Sequence, residues 1–176
     1  QNIPALTSRA GELIVRSSSY DMLVNMARTK RNYKTYTYYH IYNRGNNREA
    51  VLKYSEDKRF FISLLYKNIR GTDLKLDCFC IMDNHFHMII KIGRNPKILS
   101  KFMQKLTVAF AMHINKKYKR VGHLFQGRYE AKMLRYKKDL KQAREYIKKN
   151  PVAEGLVKRP QDYPWKKLWD QTRDRP

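Results

Sequence analysis

The stretch CFCIMDNHFHMII, residues 78–90, decides how this chain folds. Its second half alternates apolar and polar side chains, which predicts a β-strand with one buried face. Successive side chains on a strand point to opposite faces, so His85 and His87 share one face. Phe86, Met88 and Ile90 share the other, and we expect that apolar face to pack against the core.

The paired histidines admit two interpretations. Two neutral imidazoles side by side on a rigid strand can bind a divalent metal through their ring nitrogens. They can also be ordinary residues of a half-exposed strand, or one of them can be satisfied in a core. A His-x-His pattern taken alone favours the ordinary interpretation, so its meaning depends on the rest of the chain.

The charge of the chain points to a polyanionic partner. Lys and Arg number 38 against 15 Asp and Glu in 176 residues, a formal charge of +23. Nucleic acid is the first candidate, and a structural protein of the ribosomal type would be equally basic. A membrane surface is disfavoured because the basic residues are spread along the whole chain. The 13 tyrosines suit stacking on unpaired bases, although many will be core residues.

The two cysteines and the hydropathy carry little functional signal. Cys78 and Cys80 have neither the spacing of a CxxC redox pair nor that of a zinc knuckle. We therefore expect reduced, mostly buried thiols. No apolar run approaches the ~20 residues of a membrane span, and the N-terminus has no signal-peptide core.

The remaining periodicity predicts an α+β fold. The order strand, helix, strand, strand, helix, strand predicts a ferredoxin-like split βαβ arrangement, followed by a further C-terminal helix. In this arrangement two helices cover one face of an antiparallel sheet, and the other face is free for ligands. That last helix should end before Pro151, because proline disfavours a helical residue ahead of it. Three strands are predicted over residues 36–42, 74–82 and 85–92, and a fourth strand ends near residue 134. Helices are predicted over residues 55–69, 96–117 and 138–150.

Three segments are expected along the chain. Met26 followed by a basic arm looks like a true start, so we expect residues 1–25 to be a poorly ordered upstream extension or a remnant of cloning. Residues 26–165 form the functional domain, and residues 166–176 a C-terminal tail.

One tyrosine of the last helix stands out by its spacing. Tyr146 and Asn150 are four residues apart, so they lie one above the other on the helix. If they face His85 and His87, three metal ligands and a nucleophile converge. A phenol has a pKa near ~10 and needs nearby positive charge to react at neutral pH. The alternative is an ordinary aromatic residue at a helix edge.

Four motifs in this order resemble the single-tyrosine HUH transposases of the insertion-sequence type, and among them the REP-associated tyrosine transposases. The resemblance spans residues 33–165. The motifs are HIYNRGNNR (40–48), DNHFH (83–87), GHLFQGRY (122–129) and YIKKNPVAEGLV (146–157).

The resemblance implies an enzyme that cleaves and rejoins single-stranded or hairpin DNA through a 5′-phosphotyrosine intermediate. Tyr146 is then the nucleophile, and His85, His87 and Asn150 bind a divalent metal, Mg²⁺ or Mn²⁺. It further implies a cytoplasmic, nucleoid-associated protein of a prokaryotic cell with no membrane partner, as a homodimer or a monomer. The expected DNA-binding residues are Asn43, Arg44, Asn46, Arg48, Gln126, Arg128, Lys148 and Lys149.

Two other functions remain open from the residues alone. A non-catalytic nucleic-acid-binding module of ferredoxin-like fold, such as a domesticated transposase, needs neither the histidines nor Tyr146. A metal-dependent nuclease that uses water as the nucleophile needs the histidines only.

Overall fold

The structure is a computed structural model that describes residues 31–169, and the fold lies in the compact unit that begins at Asn32. Its elements, in chain order, are β1 (Tyr38–Arg44), α1 (Ser55–Ile69), β2 (Lys75–Ile81), β3 (His85–Lys91), α2 (Lys97–Lys117), β4 (Glu130–Leu134), α3 (Lys137–Ala153) and β5 (Lys166–Lys167). Within residues 31–169, no helix combines the length and the apolar character needed to cross a bilayer.

The five strands form one sheet in the order β4-β1-β3-β2-β5. Every pairing between neighbours is antiparallel. β3 lies between β1 and β2, which are joined through α1, so β1, α1 and β2 form a split βαβ unit. The α+β class and the ferredoxin-like arrangement predicted from the sequence are therefore confirmed.

Two helices cover one face of the sheet. α1 presents Phe61 and Leu65, which are four residues apart and fully buried, and α2 presents Phe102 and Phe110. Phe86 of β3 packs against this layer with its ring centroid 4.9 Å from that of Phe61. The apolar face of β3 is thus buried as the alternation predicts.

The second face of the sheet is not free, and that expectation was wrong. α3 packs over it, because the helix has an apolar stripe of its own that must be buried. Ala143 and Ile147 lie against Cys78, Cys80 and Ile89 in a second hydrophobic cluster. Both thiols are reduced and buried within it.

The end of α3 also differs from the prediction. The helix continues through Pro151 to Ala153. Proline removes a single amide hydrogen bond, and here it does so in the last turn, where the Glu154 amide still donates to the Asn150 carbonyl. Asn150 and Pro151 are both buried, so packing outweighs the local preference against a helical residue before proline.

The C-terminal segment adds an edge to the sheet. The Tyr163 hydroxyl donates to the Ile81 carbonyl at 2.7 Å, and the Ile81 amide donates to the Trp165 carbonyl at 2.9 Å. β5 begins one residue after position 165, where the sequence predicts the end of the functional domain. That domain boundary stays a prediction. The predicted upstream extension, residues 1–25, lies outside the described residues.

Candidate catalytic site beside the third helix

His85 and His87 lie next to each other on the face of β3 that α3 partly covers. Their ring centroids are 4.9 Å apart and the ring planes are nearly perpendicular, at 79°. Both side chains are buried, with 3% and 6% of their surface exposed. In the antiparallel register, His85 is opposite Arg44 and His87 is opposite Tyr42 of β1.

A neighbouring amide fixes the orientation of the first imidazole. His85 Nδ1 is 2.5 Å from Asn84 Oδ1, so Nδ1–H donates to that carbonyl oxygen and Nε2 keeps its lone pair. Nε2 is 3.9 Å from the carboxylate of Glu154, just after α3. Burial lowers the pKa of His85, Glu154 opposes this effect, and Arg44 adds to it.

The β2–β3 turn that carries Asn84 is tied to the rest of the domain. The Asp83 carboxylate pairs at 2.6 Å with Lys58 of α1, which is 4% exposed. The Leu52 amide donates to the Asp83 carbonyl, and the Gly45 amide to the Asn84 carbonyl. These bonds keep the turn, and with it His85, in one position.

The second imidazole is held by another histidine. His40 Nε2 of β1 is 3.0 Å from His87 Nδ1. Burial, followed by the nearby charge of Lys132, lowers the pKa of His40 from 6.5 to about 4. Burial, and then His40, His85 and Arg44, hold the pKa of His87 well below its usual value. The imidazoles are therefore neutral at pH 7, the form that binds metals.

α3 brings Tyr146 to these histidines, and Asn150 follows one helical turn later. The Tyr146 ring centroid lies 5.3 Å from that of His87 and 6.0 Å from that of His40. The tyrosine is 54% exposed, whereas Asn150 is 5% exposed and its Nδ2 atom has no hydrogen-bond partner. Tyr146 and His40 also border a cleft of about 320 Å³ that opens to solvent.

Two other tyrosines near β4 are placed differently. Tyr129 is 7% exposed, and its hydroxyl shares a 2.8 Å hydrogen bond with that of Tyr33. Tyr136 is 58% exposed and precedes α3. Two tyrosines contact the His87 ring: Tyr146, at 5.3 Å and 54% exposed, and Tyr42 of β1, at 5.7 Å and 38% exposed. Tyr146 is the nearer and the more exposed of the two.

An ion pair joins α3 to the sheet. The Arg144 guanidinium binds the Asp77 carboxylate of β2 through two bonds, Nε to Oδ2 at 2.9 Å and Nη2 to Oδ1 at 2.6 Å. The two side chains are only 9% and 10% exposed. This pair sets the position of the helix two residues before Tyr146.

The side chains near the histidines offer mainly neutral donors to a hard divalent metal. Within residues 31–169, no group of three or more His, Cys, Asp or Glu side chains is close enough together to hold a metal. Two neutral imidazoles remain as donors, and the Oδ1 atom of Asn150, one helical turn after Tyr146, is the candidate third donor. Such a set leaves coordination positions for substrate oxygens and water, as catalytic sites require.

The residues predicted to bind DNA fall into three groups. Asn43 is 7% exposed, and its side-chain amide donates to the Gly127 carbonyl at 3.1 Å, so it joins two loops. Arg44, the last residue of β1, and Asn46, just after the strand, are half-buried. The exposed or half-exposed remainder consists of Arg48, Gln126, Arg128, Lys148 and Lys149.

Backbone bonds join the loop after β1 to the loop before β4. The Asn46 amide donates to the Leu124 carbonyl, and the Gln126 amide donates to the Arg44 carbonyl, both at 2.9 Å. The end of β1 with the loop that follows it, residues 43–48, and the loop of residues 124–128 are called the paired loops below. Arg48, Gln126 and Arg128 project into solvent from them.

Sequence reasoning assigned no role to His40, Glu154 or Arg144. His40 has the same parity on β1 as Tyr42, and the predicted sheet has β1 beside the histidine strand, so a parity argument could have found it. Assigning a role to Arg144 or Glu154 requires knowing where α3 packs on the sheet. No local sequence pattern gives that information.

Comparison with known proteins gives one family and one fold. The family model described as IS200-like transposase matches residues 33–150. A solved structure of a REP-associated tyrosine transposase bound to a REP hairpin is 20% identical, with a TM-score of 0.68, and the match covers 80% of this chain and 82% of that one. A Deinococcus radiodurans R1 protein provisionally described as a transposase is also 20% identical, over 69% of this chain and 95% of that one, with a TM-score of 0.47. No curated protein matches the chain.

Proposed function

We propose, from the premise that this chain belongs to the IS200-like transposase family, that it cleaves and rejoins single-stranded DNA with Tyr146 as the nucleophile. Family membership implies DNA strand cleavage and transfer. The observation that carries the finer proposal is the position of Tyr146, half-exposed and 5.3 Å from the His87 ring. A nucleophile must be reachable by the substrate and lie beside the groups that activate it.

The proposed reaction proceeds in two transfers. The Tyr146 oxygen attacks the scissile phosphorus, and the bond from phosphorus to the 3′ oxygen breaks. The Tyr146 hydroxyl loses its proton in this step, and the leaving oxygen gains one and becomes a free 3′-hydroxyl, while the 5′ phosphate stays attached to the tyrosine. A 3′-hydroxyl then attacks the phosphotyrosine, restores a phosphodiester and releases the tyrosine. Because the phosphotyrosine retains the bond energy, rejoining needs no further cofactor.

His85, His87 and Asn150 are the residues that we propose hold Mg²⁺ or Mn²⁺. The adjacent positions of the two imidazoles, with ring centroids 4.9 Å apart, and the lowered pKa of each support the histidine ligands. Asn150 is assigned by its place one helical turn after Tyr146 on α3, and it would bind the metal through Oδ1. A bound divalent metal supplies Lewis-acid stabilisation of the charge that develops on the phosphate oxygens. The chain itself contributes a fixed ring orientation at His85, through Asn84, and a helix that aligns Tyr146 with the site.

The proposed substrate is hairpin DNA with a single-stranded segment. The REP-associated relative is bound to a REP hairpin, and a charge of +23 favours binding to any nucleic acid backbone. The paired loops offer Arg48, Gln126 and Arg128 for phosphates and base edges, while Lys149 is exposed on α3. We also propose that the protein works on chromosomal DNA in the cytoplasm, at the nucleoid. We propose that it acts as a homodimer or as a monomer, and the mass of its complex with hairpin DNA in solution distinguishes the two.

A cleavage assay with matched tyrosine variants tests the proposal. Purified protein is incubated with end-labelled hairpin DNA and Mn²⁺. Tyr146→Phe should abolish strand cleavage and leave hairpin binding unchanged, because only a hydroxyl is removed. Tyr136→Phe is the control, since Tyr136 is exposed to a similar extent, 58% against 54%.

The outcomes separate the three functions that the sequence left open. Cleavage that disappears only in Tyr146→Phe supports the tyrosine mechanism. Cleavage that survives in Tyr146→Phe but requires the histidines indicates a nuclease that uses water. Hairpin binding without cleavage by any variant, including the wild type, indicates a non-catalytic binding module.

A further inference from the structure

A third histidine contacts the proposed metal-binding pair. His40 lies on β1 next to β3, and its Nε2 atom is 3.0 Å from His87 Nδ1. Their ring centroids are 5.1 Å apart, and the His40 ring is also 6.0 Å from that of Tyr146. His87 itself is only 6% exposed, so the nitrogen that faces His40 cannot exchange this partner for bulk water.

A hydrogen bond between two neutral imidazoles contains one proton. If that proton belongs to His87 Nδ1, then His87 Nε2 carries a lone pair and can bind a metal. If it belongs to His40 Nε2, then His87 Nε2 carries a proton and cannot bind one. The tautomer of His40 therefore decides whether His87 is available as a ligand.

The surroundings of His40 suit the first arrangement. As an acceptor at Nε2, His40 carries its own proton at Nδ1, which needs an acceptor. His40 lines the cleft of about 320 Å³, whose walls also carry Asp139 and Gln142, and the cleft is open to water. Acceptors are thus available for the His40 Nδ1–H. His85 follows the same scheme, with Nδ1–H donating to Asn84 Oδ1 and Nε2 unprotonated.

We propose that His40 is a positioning residue that accepts a hydrogen bond from His87 Nδ1–H and thereby keeps His87 Nε2 free for the divalent metal. This inference rests on the proposed function, because it assigns His87 as a ligand. It gives the two ligands different orienting partners: an amide from the adjacent turn for His85, and an imidazole from the neighbouring strand for His87. Partners of this kind typically change metal affinity by about 10- to 100-fold when removed.

The tautomer can be read directly in the metal-free protein. Long-range ¹H–¹⁵N correlation spectra of ¹⁵N-histidine-labelled protein distinguish a protonated Nδ1 from a protonated Nε2. In the wild type, we expect His87 as the Nδ1–H tautomer. In His40→Ala, the His87 signals should shift toward the Nε2–H form, and the affinity for Mn²⁺, measured by electron paramagnetic resonance, should fall at least about tenfold.

Two further variants separate positioning from packing. His40→Gln places an amide oxygen where the ring nitrogen was, so His87 should keep its Nδ1–H tautomer. The Mn²⁺ affinity of this variant should stay within about threefold of the wild type, because complete loss of the partner is expected to lower the affinity by at least about tenfold. His113→Ala removes a histidine that stacks on Phe60 under the other face of the sheet, and should change neither readout. If His40→Ala does not fold, the wild type and His40→Gln still decide the outcome.

The inference is overturned if wild-type His87 is the Nε2–H tautomer, or if His40→Ala keeps both the wild-type tautomer and the wild-type Mn²⁺ affinity. Failure of the proposed function looks different. In that case the wild type forms no covalent DNA adduct. The tautomer of His87 is measured without DNA, so its result does not depend on whether an adduct forms.

Discussion

The ion pair between Arg144 and Asp77 should contribute strongly to stability, because it is both buried and bidentate. Asp77→Ala leaves the guanidinium, 9% exposed, without its carboxylate. Breaking a buried pair from one side typically costs about 3–5 kcal/mol. The Trp169 ring, 5.4 Å from the guanidinium, still offers it a favourable contact, so we expect the lower end, about 3 kcal/mol.

Urea unfolding followed by circular dichroism measures this cost. About 3 kcal/mol corresponds to a fall in Tm of roughly 10 °C for a domain of this size. The surface pair of Arg159 and Asp162 is a matched control, because it is also bidentate, at 3.0 Å for both bonds, but its side chains are 68% and 38% exposed. Arg159→Ala should cost no more than about 1 kcal/mol.

The double variant Asp77→Leu/Arg144→Met tests the physical reason. It removes both charges together with their desolvation cost, so it should be more stable than Asp77→Ala. The reasoning is refuted if Asp77→Ala costs less than about 1 kcal/mol, which is the cost of an exposed pair. It is also refuted if the double variant is no more stable than the single one.

Three further predictions follow from the site and its surroundings. His85→Ala and His87→Ala should each abolish cleavage and preserve hairpin binding, since the opposite face of β3 forms the core; normal cleavage by either variant, in metal-stripped protein resupplied with Mg²⁺, contradicts the ligand assignment. Arg128→Ala should weaken hairpin binding and reduce the slope of log affinity against log salt by about 0.7, the value for one phosphate contact on a single strand; an unchanged slope excludes a phosphate contact. Burial raises the pKa of Cys80 to about 12 and that of Cys78 further, so both thiols stay protonated at pH 8 and should resist iodoacetamide until the protein unfolds; alkylation of the folded protein at the rate of a free thiol argues against this burial.

The sequence predicted those features that depend on neighbours along the chain. The alternation around His85 and His87 correctly indicated a strand with an apolar face on the core, because parity on a strand is set by adjacent residues. The spacing of Phe61 and Leu65 likewise predicted the buried side of α1. The order of the elements then left few topologies, and the ferredoxin-like one is observed.

Features that depend on distant pairings were missed or wrong. The contact between His40 and His87 joins residues 47 apart, and the pair of Arg144 and Asp77 joins residues 67 apart. Neither follows from local periodicity. The same limit explains the second face of the sheet, which α3 covers because its apolar stripe needs burial, and the passage of α3 through Pro151, where packing prevails.

The identity of the nucleophile is tested most directly by the site of a covalent DNA adduct. Wild-type protein is incubated with hairpin DNA and Mn²⁺, trapped by denaturation, digested and sequenced by mass spectrometry. We predict a single modified peptide, with the 5′ phosphate of the DNA on the Tyr146 oxygen. An adduct on Tyr129 or Tyr136, or cleavage of the hairpin with no adduct at any residue, would contradict the proposed mechanism.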